Sequence, residues 1–251
     1  MNVALIFAGG IGSRMGSDTP KQFLEWNGKA IIIHTLNVFE NHSEIDAIVI
    51  ACKEDWIDYT RQLIEKEEIK KVVSIVPGGA TALDSQFNGL KEIKRLYPNE
   101  KVAVLIHDGV RPLVDAATVK RNIDSVWENG NAITVTKAIE TVIKIDEEGS
   151  VQEILNRDYC RMAKAPQSFK LDDIIAAHKK AIAEGKHDFI DSASMMIYYG
   201  HTLHTVMGEP ENIKVTTPSD YYMFLGISKN REGQRSEVNV GPVGYQRNNL
   251  Q

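Results

Sequence analysis

Short, continuously apolar runs alternate along the first half of the chain with stretches whose apolar positions recur every three or four residues. Residues 3–7 form a β-favouring run that ends in a glycine-rich turn, and residues 45–51, 72–76, 102–106 and 132–136 repeat the type. Between them lie helical spacings: residues 31–39, then Trp56, Tyr59, Leu63 and Ile64, then Leu83, Phe87 and Leu90, then Val119, Ile123 and Val126. Strands alternating with helices in this way indicate βαβ units and a mostly parallel sheet. Because the strand runs are continuously apolar, the pattern predicts a sheet covered on both faces. The expected fold is α/β, a Rossmann-like three-layer sandwich with a mostly parallel central sheet.

The rhythm breaks after residue 137. Residues 141–145 and 151–155 flank the acidic, glycine-containing turn 146–149 and read as a β-hairpin arm, about residues 138–160, projecting from the sheet. Helical spacing returns at 171–184 and 193–199, followed by strand-like runs at 202–206 and 213–216. Thr217 and Pro218 suit the N-cap and first position of a last helix running to about residue 227. Residues 229–251 have no apolar period, are rich in Asn, Gln, Gly and Arg, and read as a disordered tail. Neither a repeat nor a linker divides residues 1–228, which are expected to form one domain.

Composition narrows the function. In 251 residues, 29 Lys and Arg stand against 34 Asp and Glu, a formal charge of −5. That balance gives no support to a nucleic-acid or anionic-membrane binder. The two cysteines, Cys52 and Cys160, make neither a disulfide framework nor a four-cysteine zinc site. The N-terminus lacks the features of a secretion signal, and no apolar run is long enough to span a bilayer. The expected setting is cytoplasmic.

The first strand runs into Ala8, Gly9, Gly10, Ile11, Gly12, Ser13 and Arg14, a turn whose amides can converge on an anion at a helix N-terminus. A dinucleotide fingerprint needs glycine where Met15 stands, and a Walker loop needs Gly-Lys before Ser or Thr, which is absent here. Arg14 and Lys21 bracket the turn, and two cations beside an amide nest would neutralise a triphosphate and a departing pyrophosphate. A solvated surface position is the competing reading for each. The strand ending in His107 and Asp108 places a carboxylate where open α/β sheets bind ligands, suited to Mg²⁺ against phosphate oxygens. The competing reading has Asp108 capping its turn and pairing with Arg111, and His107 as a packed histidine. Lys214, within the run 213–216, is a candidate for a substrate phosphate unless it faces solvent on an edge strand.

These segments, in this order, resemble the cytidylyltransferases of the methylerythritol-phosphate and ribitol-phosphate type, over nearly the whole chain to about residue 228. The family's glycine-rich loop matches residues 8–14, its Pro-Lys-Gln matches Pro20, Lys21 and Gln22, and its Asp-x-x-Arg-Pro matches residues 108–112. The resemblance implies Arg14 and Lys21 as catalytic groups and Asp108 as the Mg²⁺ ligand. It implies nucleotide contacts from Ala8, Gly9, Gly10 and Gly12 in the first loop. Further contacts are implied from Gly79, Asp84 and Ser85 after the third strand, and from Gly109 and Arg111. It implies Thr141, Arg157 and Lys214 as acceptor contacts, and a homodimer whose arms complete each other's sites.

Three positions depart from the family pattern: Ala82 stands for an arginine, and Ala165 and Ile190 each stand for a threonine. The last two fall on acceptor positions and imply retained chemistry with a changed acceptor. Residues 20–24 and 166–169 are closer to the ribitol type. The implied reaction transfers CMP from CTP to a polyol phosphate, D-ribitol 5-phosphate first and 2-C-methyl-D-erythritol 4-phosphate second. Two rivals of other kinds are an NADPH oxidoreductase, which Gly10 and Gly12 alone support, and an inactive nucleotide-binding subunit.

Overall fold

The structure, a computed structural model, describes residues 1–9, 19–231 and 233. Arg14, Gly10, Gly12 and nearly all of the expected tail lie outside the described residues.

Strand β1 (Asn2–Ala8) leads through a small hairpin, β2 (Glu25–Trp26) and β3 (Lys29–Ala30), into helix α1 (Ile31–Glu40). Then follow β4 (Ala47–Cys52), α2 (Ile57–Lys66), β5 (Val72–Pro77), α3 (Ala82–Leu96), β6 (Ala103–Asp108), α4 (Ala116–Asn129) and β7 (Asn131–Lys137). The arm is β8 (Ile143–Ile145) paired antiparallel with β9 (Val151–Ile154). The chain closes with β10 (Arg161–Lys170), α5 (Leu171–Ala183), α6 (Ser192–Tyr198), β11 (Thr205–Met207) and α7 (Pro218–Arg231).

The seven-stranded sheet has the order β11-β7-β10-β6-β1-β4-β5, and every neighbouring pair is parallel except those made by β10. Side chains of successive residues leave a strand on opposite faces. Val3 and Leu5 accordingly join Leu90, Ile93 and Ile174 beneath α3, α5 and α6. Ala4 and Ile6 join Leu36, Phe39 and Ile123 beneath α1 and α4 on the other face. That double cover is why β4 and β6 are buried at every position. Helix α3 lies so close to β1 that a Cβ at Gly89 would sit 2.2 Å from a Leu5 methyl, so only glycine fits there.

One strand was not foreseen and two expectations are corrected. Residues 161–170, which have no apolar period, form a central antiparallel strand. Pro166 cannot donate to a ladder, and the pairing with β7 shifts between Ala163 and Gln167 around the cis Ala165–Pro166 bond. Polar groups on this strand are satisfied from its neighbours: Ser168 donates to Asn122 Oδ1 (2.8 Å), and the main-chain carbonyl of Pro166 accepts from Thr134 (2.7 Å). Residues 213–216 form no strand; Val215 instead donates its amide to the Val110 carbonyl and packs with Phe224. The last helix continues to Arg231, whose guanidinium donates to the Leu113 carbonyl (3.1 Å), so residues 229–231 belong to the body rather than to a tail.

Candidate active site

The chain leaves β1 for β4 on one side and later returns through β5 and α3 to place β6 on the other. The crevice outside the carboxyl ends of strands at such a reversal is where open α/β sheets bind ligands. The register fixes what meets there: Phe7 lies opposite Asp108, Ala8 opposite Cys52, and Cys52 opposite Pro77. The residues next after each strand end therefore share one rim. They surround a cleft of about 420 Å³ lined by Ala8, Gly9, Lys21, Lys53, Gly79, Ser85, Asp108 and Lys214, among others.

Lys21 opens a single 3-10 turn, Lys21–Phe23, held from both sides. The buried Gln22 donates to the Ala8 carbonyl (2.8 Å), and Phe23 stacks on Trp56 with ring centroids 4.7 Å apart. The lysine backbone is thus anchored to β1 and to the start of α2, while its side chain lines the cleft.

On the opposite rim, Ser85 is buried. Its Oγ accepts from the Gly79 amide (2.9 Å) and donates to the Thr81 carbonyl (3.0 Å). A Cβ at Gly79 would lie 2.2 Å from that of Asp84, so this loop is shaped for glycine. Asp84 is turned away from the cleft. It forms a capping box with Thr81 at the N-terminus of α3.

Asp108 is the electrostatic centre. Its Oδ1 meets Lys214 Nζ at 2.5 Å, and its Oδ2 accepts from Arg111 Nε at 2.7 Å. Burial alone would push the Asp108 carboxyl up, but Lys214 and Arg111 outweigh it and hold the group at about 2. The turn pairing of Asp108 with Arg111 is therefore present, and the anion that Lys214 requires is supplied within the chain. Arg111 also donates to the Asn212 carbonyl (3.0 Å) and lines two further spaces, not the first cleft. His107 is fully buried edge-on to Phe39, and burial pushes its pKa down to about 4. It is a packed, neutral histidine.

Those two further spaces adjoin the cleft. An inner extension of about 150 Å³ shares Phe7, Ala82, Asp108 and Lys214 with it and is also lined by Gln86, Gln167 and Asp191. Ala165 and Ile190 lie on this extension. An outer cavity below the arm, about 790 Å³, takes Thr141 together with Arg111 and Lys214. Arg157 is not brought to any of the three; it sits exposed beyond β9, donating to the Ile139 carbonyl (3.1 Å). Gly109 turns the chain behind the cleft, its amide on the Phe7 carbonyl.

A family model described as IspD, 2-C-methyl-D-erythritol 4-phosphate cytidylyltransferase, matches residues 2–225. The chain belongs to the IspD family of cytidylyltransferases. It is 48% identical over 233 residues to the ribitol-5-phosphate cytidylyltransferase of Vibrio parahaemolyticus serotype O3:K6, covering 92% of this chain and 98% of that protein. The 2-C-methyl-D-erythritol 4-phosphate cytidylyltransferase of Geotalea uraniireducens is 38% identical over 235 residues, 92% and 98% of the two chains. The solved 4-diphosphocytidyl-2C-methyl-D-erythritol synthase of Anaerococcus prevotii superimposes with a TM-score of 0.78 at 31% identity, over 93% of this chain and 96% of that one. This IspD-family chain thus stands with the nucleotidyl-transfer enzymes rather than with the dinucleotide oxidoreductases. Two lysines, one of the cleft and one of the adjoining spaces, escaped the sequence reading. Lys53 directly follows β4, which only the strand boundary could reveal, and Lys164 lies on the strand that lacks an apolar period.

Proposed function

We propose that the protein transfers the cytidylyl group of CTP to the phosphate of D-ribitol 5-phosphate, giving CDP-ribitol and pyrophosphate in the cytoplasm. The observation that supports the acceptor is the pair of relatives named for ribitol 5-phosphate at 48% and 45%; a methylerythritol-phosphate relative stands at 38% and a further ribitol-phosphate relative at 35%. Ala165 and Ile190 support the same choice, because the inner extension lacks two hydroxyl groups at the positions where the family pattern has threonine.

An acceptor phosphate oxygen attacks the α-phosphorus of CTP, the new P–O bond forms in line with the breaking bond to the β-phosphate, and pyrophosphate leaves. Such a transfer needs alignment and charge neutralisation rather than a covalent nucleophile. Lys21, with Arg14 from the glycine-rich loop, neutralises the triphosphate, and the glycine amides of that loop cradle it; Gly79 lies on the side of the base. Ser85 holds the Gly79 loop for the base. Lys214, Arg111 and Thr141 face the acceptor.

Asp108 is the carboxylate through which Mg²⁺ would be held. Two of its lone-pair sites are used by Lys214 and Arg111, and a carboxylate offers about four, so the residue fits an ion that takes its other ligands from phosphates and water. When bound there, Mg²⁺ supplies further neutralisation of phosphate charge.

A homodimer completes the site. Both strands of the arm are exposed along their full length, including Ile143, Ile145, Val151 and Ile154. An isolated two-stranded hairpin with that much apolar surface is marginal in water, and a twofold partner would cover it. The exposed Arg157 is then carried to the neighbouring subunit's cleft.

Pyrophosphate release with four nucleotides and a panel of polyol phosphates tests the reaction. CTP with D-ribitol 5-phosphate should give the highest kcat/KM; preference for methylerythritol phosphate, or equal rates with UTP, would refute the assignment. The shared site is tested by mixing inactive Lys21→Ala and Arg157→Ala proteins under conditions of subunit exchange. Random mixing gives half heterodimers, each with one intact site, so about a quarter of wild-type activity should return. No recovery despite demonstrated exchange would show that Arg157 does not act across the dimer.

A further inference from the structure

Three cations converge where the inner extension of the cleft meets the outer cavity below the arm: Arg111, Lys164 and Lys214 line both spaces. Arg111 and Lys214 share one carboxylate, Asp108, at 2.7 and 2.5 Å. Lys164 is placed differently. Its Nζ donates to the main-chain carbonyls of Pro210 (2.9 Å) and Asn212 (3.2 Å), and no carboxylate among the described residues lies within ion-pair distance of it. Two carbonyls orient an ammonium group and leave its charge uncompensated, with a third N–H to give. Burial and the neighbouring Arg111 both push the Lys164 pKa down, with Glu211 opposing them.

The surrounding acids do not remove this excess. Asp220 lines the outer cavity but accepts from the Thr216 and Thr217 amides and the Thr216 hydroxyl. Glu140 on the same cavity is exposed to solvent. At the junction itself, Arg111 and Lys214 share Asp108 while Lys164 pairs with no carboxylate, and Asp191, the other acid of the inner extension, is held by the Gln167 amide and the Ser194 N–H at the start of α6, so the cations stay in excess. A phosphate monoester carries about −1.5 to −2 at neutral pH and is drawn to that excess. On the inner side, Ala165 and Ile190 offer no hydroxyl, so an anion there depends more heavily on charge.

We infer that Lys164 binds the phosphate of the acceptor, as the third cation of a site it forms with Arg111 and Lys214 at the junction of the two cavities. The inference rests on the transferase reading above and adds to it a binding residue that selects for the anionic end of the acceptor. Its place at the register shift of β10 directs the side chain to the loop carrying Pro210 and Asn212, whose carbonyls hold the ammonium at the junction.

The test uses the full chain with Lys164→Gln and Lys164→Arg. Loss of a charge-assisted bond should raise KM for D-ribitol 5-phosphate about ten- to a hundredfold in the glutamine variant. KM for CTP should stay within about twofold, and arginine should restore most of the loss. An unchanged acceptor KM overturns the inference. So does a parallel rise of both KM values with a fall in Tm, the signature of a lysine that only ties down the loop. Calorimetric titration of D-ribitol 5-phosphate into nucleotide-free protein separates this from failure of the transferase reading. Binding that is weakened by Lys164→Gln upholds the site even where wild type shows no turnover, whereas equal binding by both proteins, or by neither, overturns it.

Discussion

Replacing Lys21 with alanine is expected to lower kcat by at least about a hundredfold while Tm stays close to that of wild type. Charge stabilisation in a water-poor site contributes several kcal/mol to a transition state in which charge moves onto a leaving group. The fold should not suffer, because the turn is anchored by its neighbours: Gln22 on the Ala8 carbonyl and Phe23 on Trp56. The loss should fall mainly on kcat, with a smaller rise in KM for CTP, since the pyrophosphate charge grows only as the bond breaks. Steady-state kinetics beside a thermal melt decides it. Turnover near the wild-type rate would remove Lys21 from the active site.

The second large effect is on stability as well as turnover. Asp108→Ala removes the one carboxylate that two cations share in a buried position, and breaking a buried pair in this way costs about 3–5 kcal/mol. For a chain of this length that is a fall in Tm on the order of 10 °C or more. Lys214 is less affected than Arg111, because its side chain is 41% exposed against 13% and can turn to water. The pH dependence has a definite sign. The folded-state pKa of Asp108, about 2, lies below the ordinary value of 3.8, so its contribution is complete above pH 3.8 and is lost as pH falls through 2. The difference in stability between wild type and variant should be flat from neutral pH down to about 4 and narrow below that. A difference that vanished already at neutral pH would show that the ion-pair cluster does not support the fold.

The helices and parallel strands were legible because each is specified within a dozen residues. Continuous apolar runs such as 102–106 can satisfy only a doubly covered strand, and Val119, Ile123 and Val126 can share only a helix face. Lys21, Asp108 and the arm were legible for the same reason, since each is a local pattern. Two features of the site were not. Residues 161–170 look unsuited to a central strand, and they become one only because β6 and β7 present unpaired ladder edges while Asn122 and Thr134 satisfy their polar groups. Lys214 reads as an inward lysine in a strand, whereas it lies in an extended loop whose partner, Asp108, comes from the opposite half of the chain.

Sequence alone therefore determined the alternation of layers and the polar residues that stand at strand ends, both products of short-range steric and hydrophobic periodicity. Tertiary structure decided which of those residues face one another. Strand order placed Lys53 and Gly79 on one rim with Asp108, turned Asp84 to capping α3, and set Lys164 beside Arg111. Charge pairing and cavity shape arise from segments remote in the chain, and no local pattern records them until the sheet has assembled.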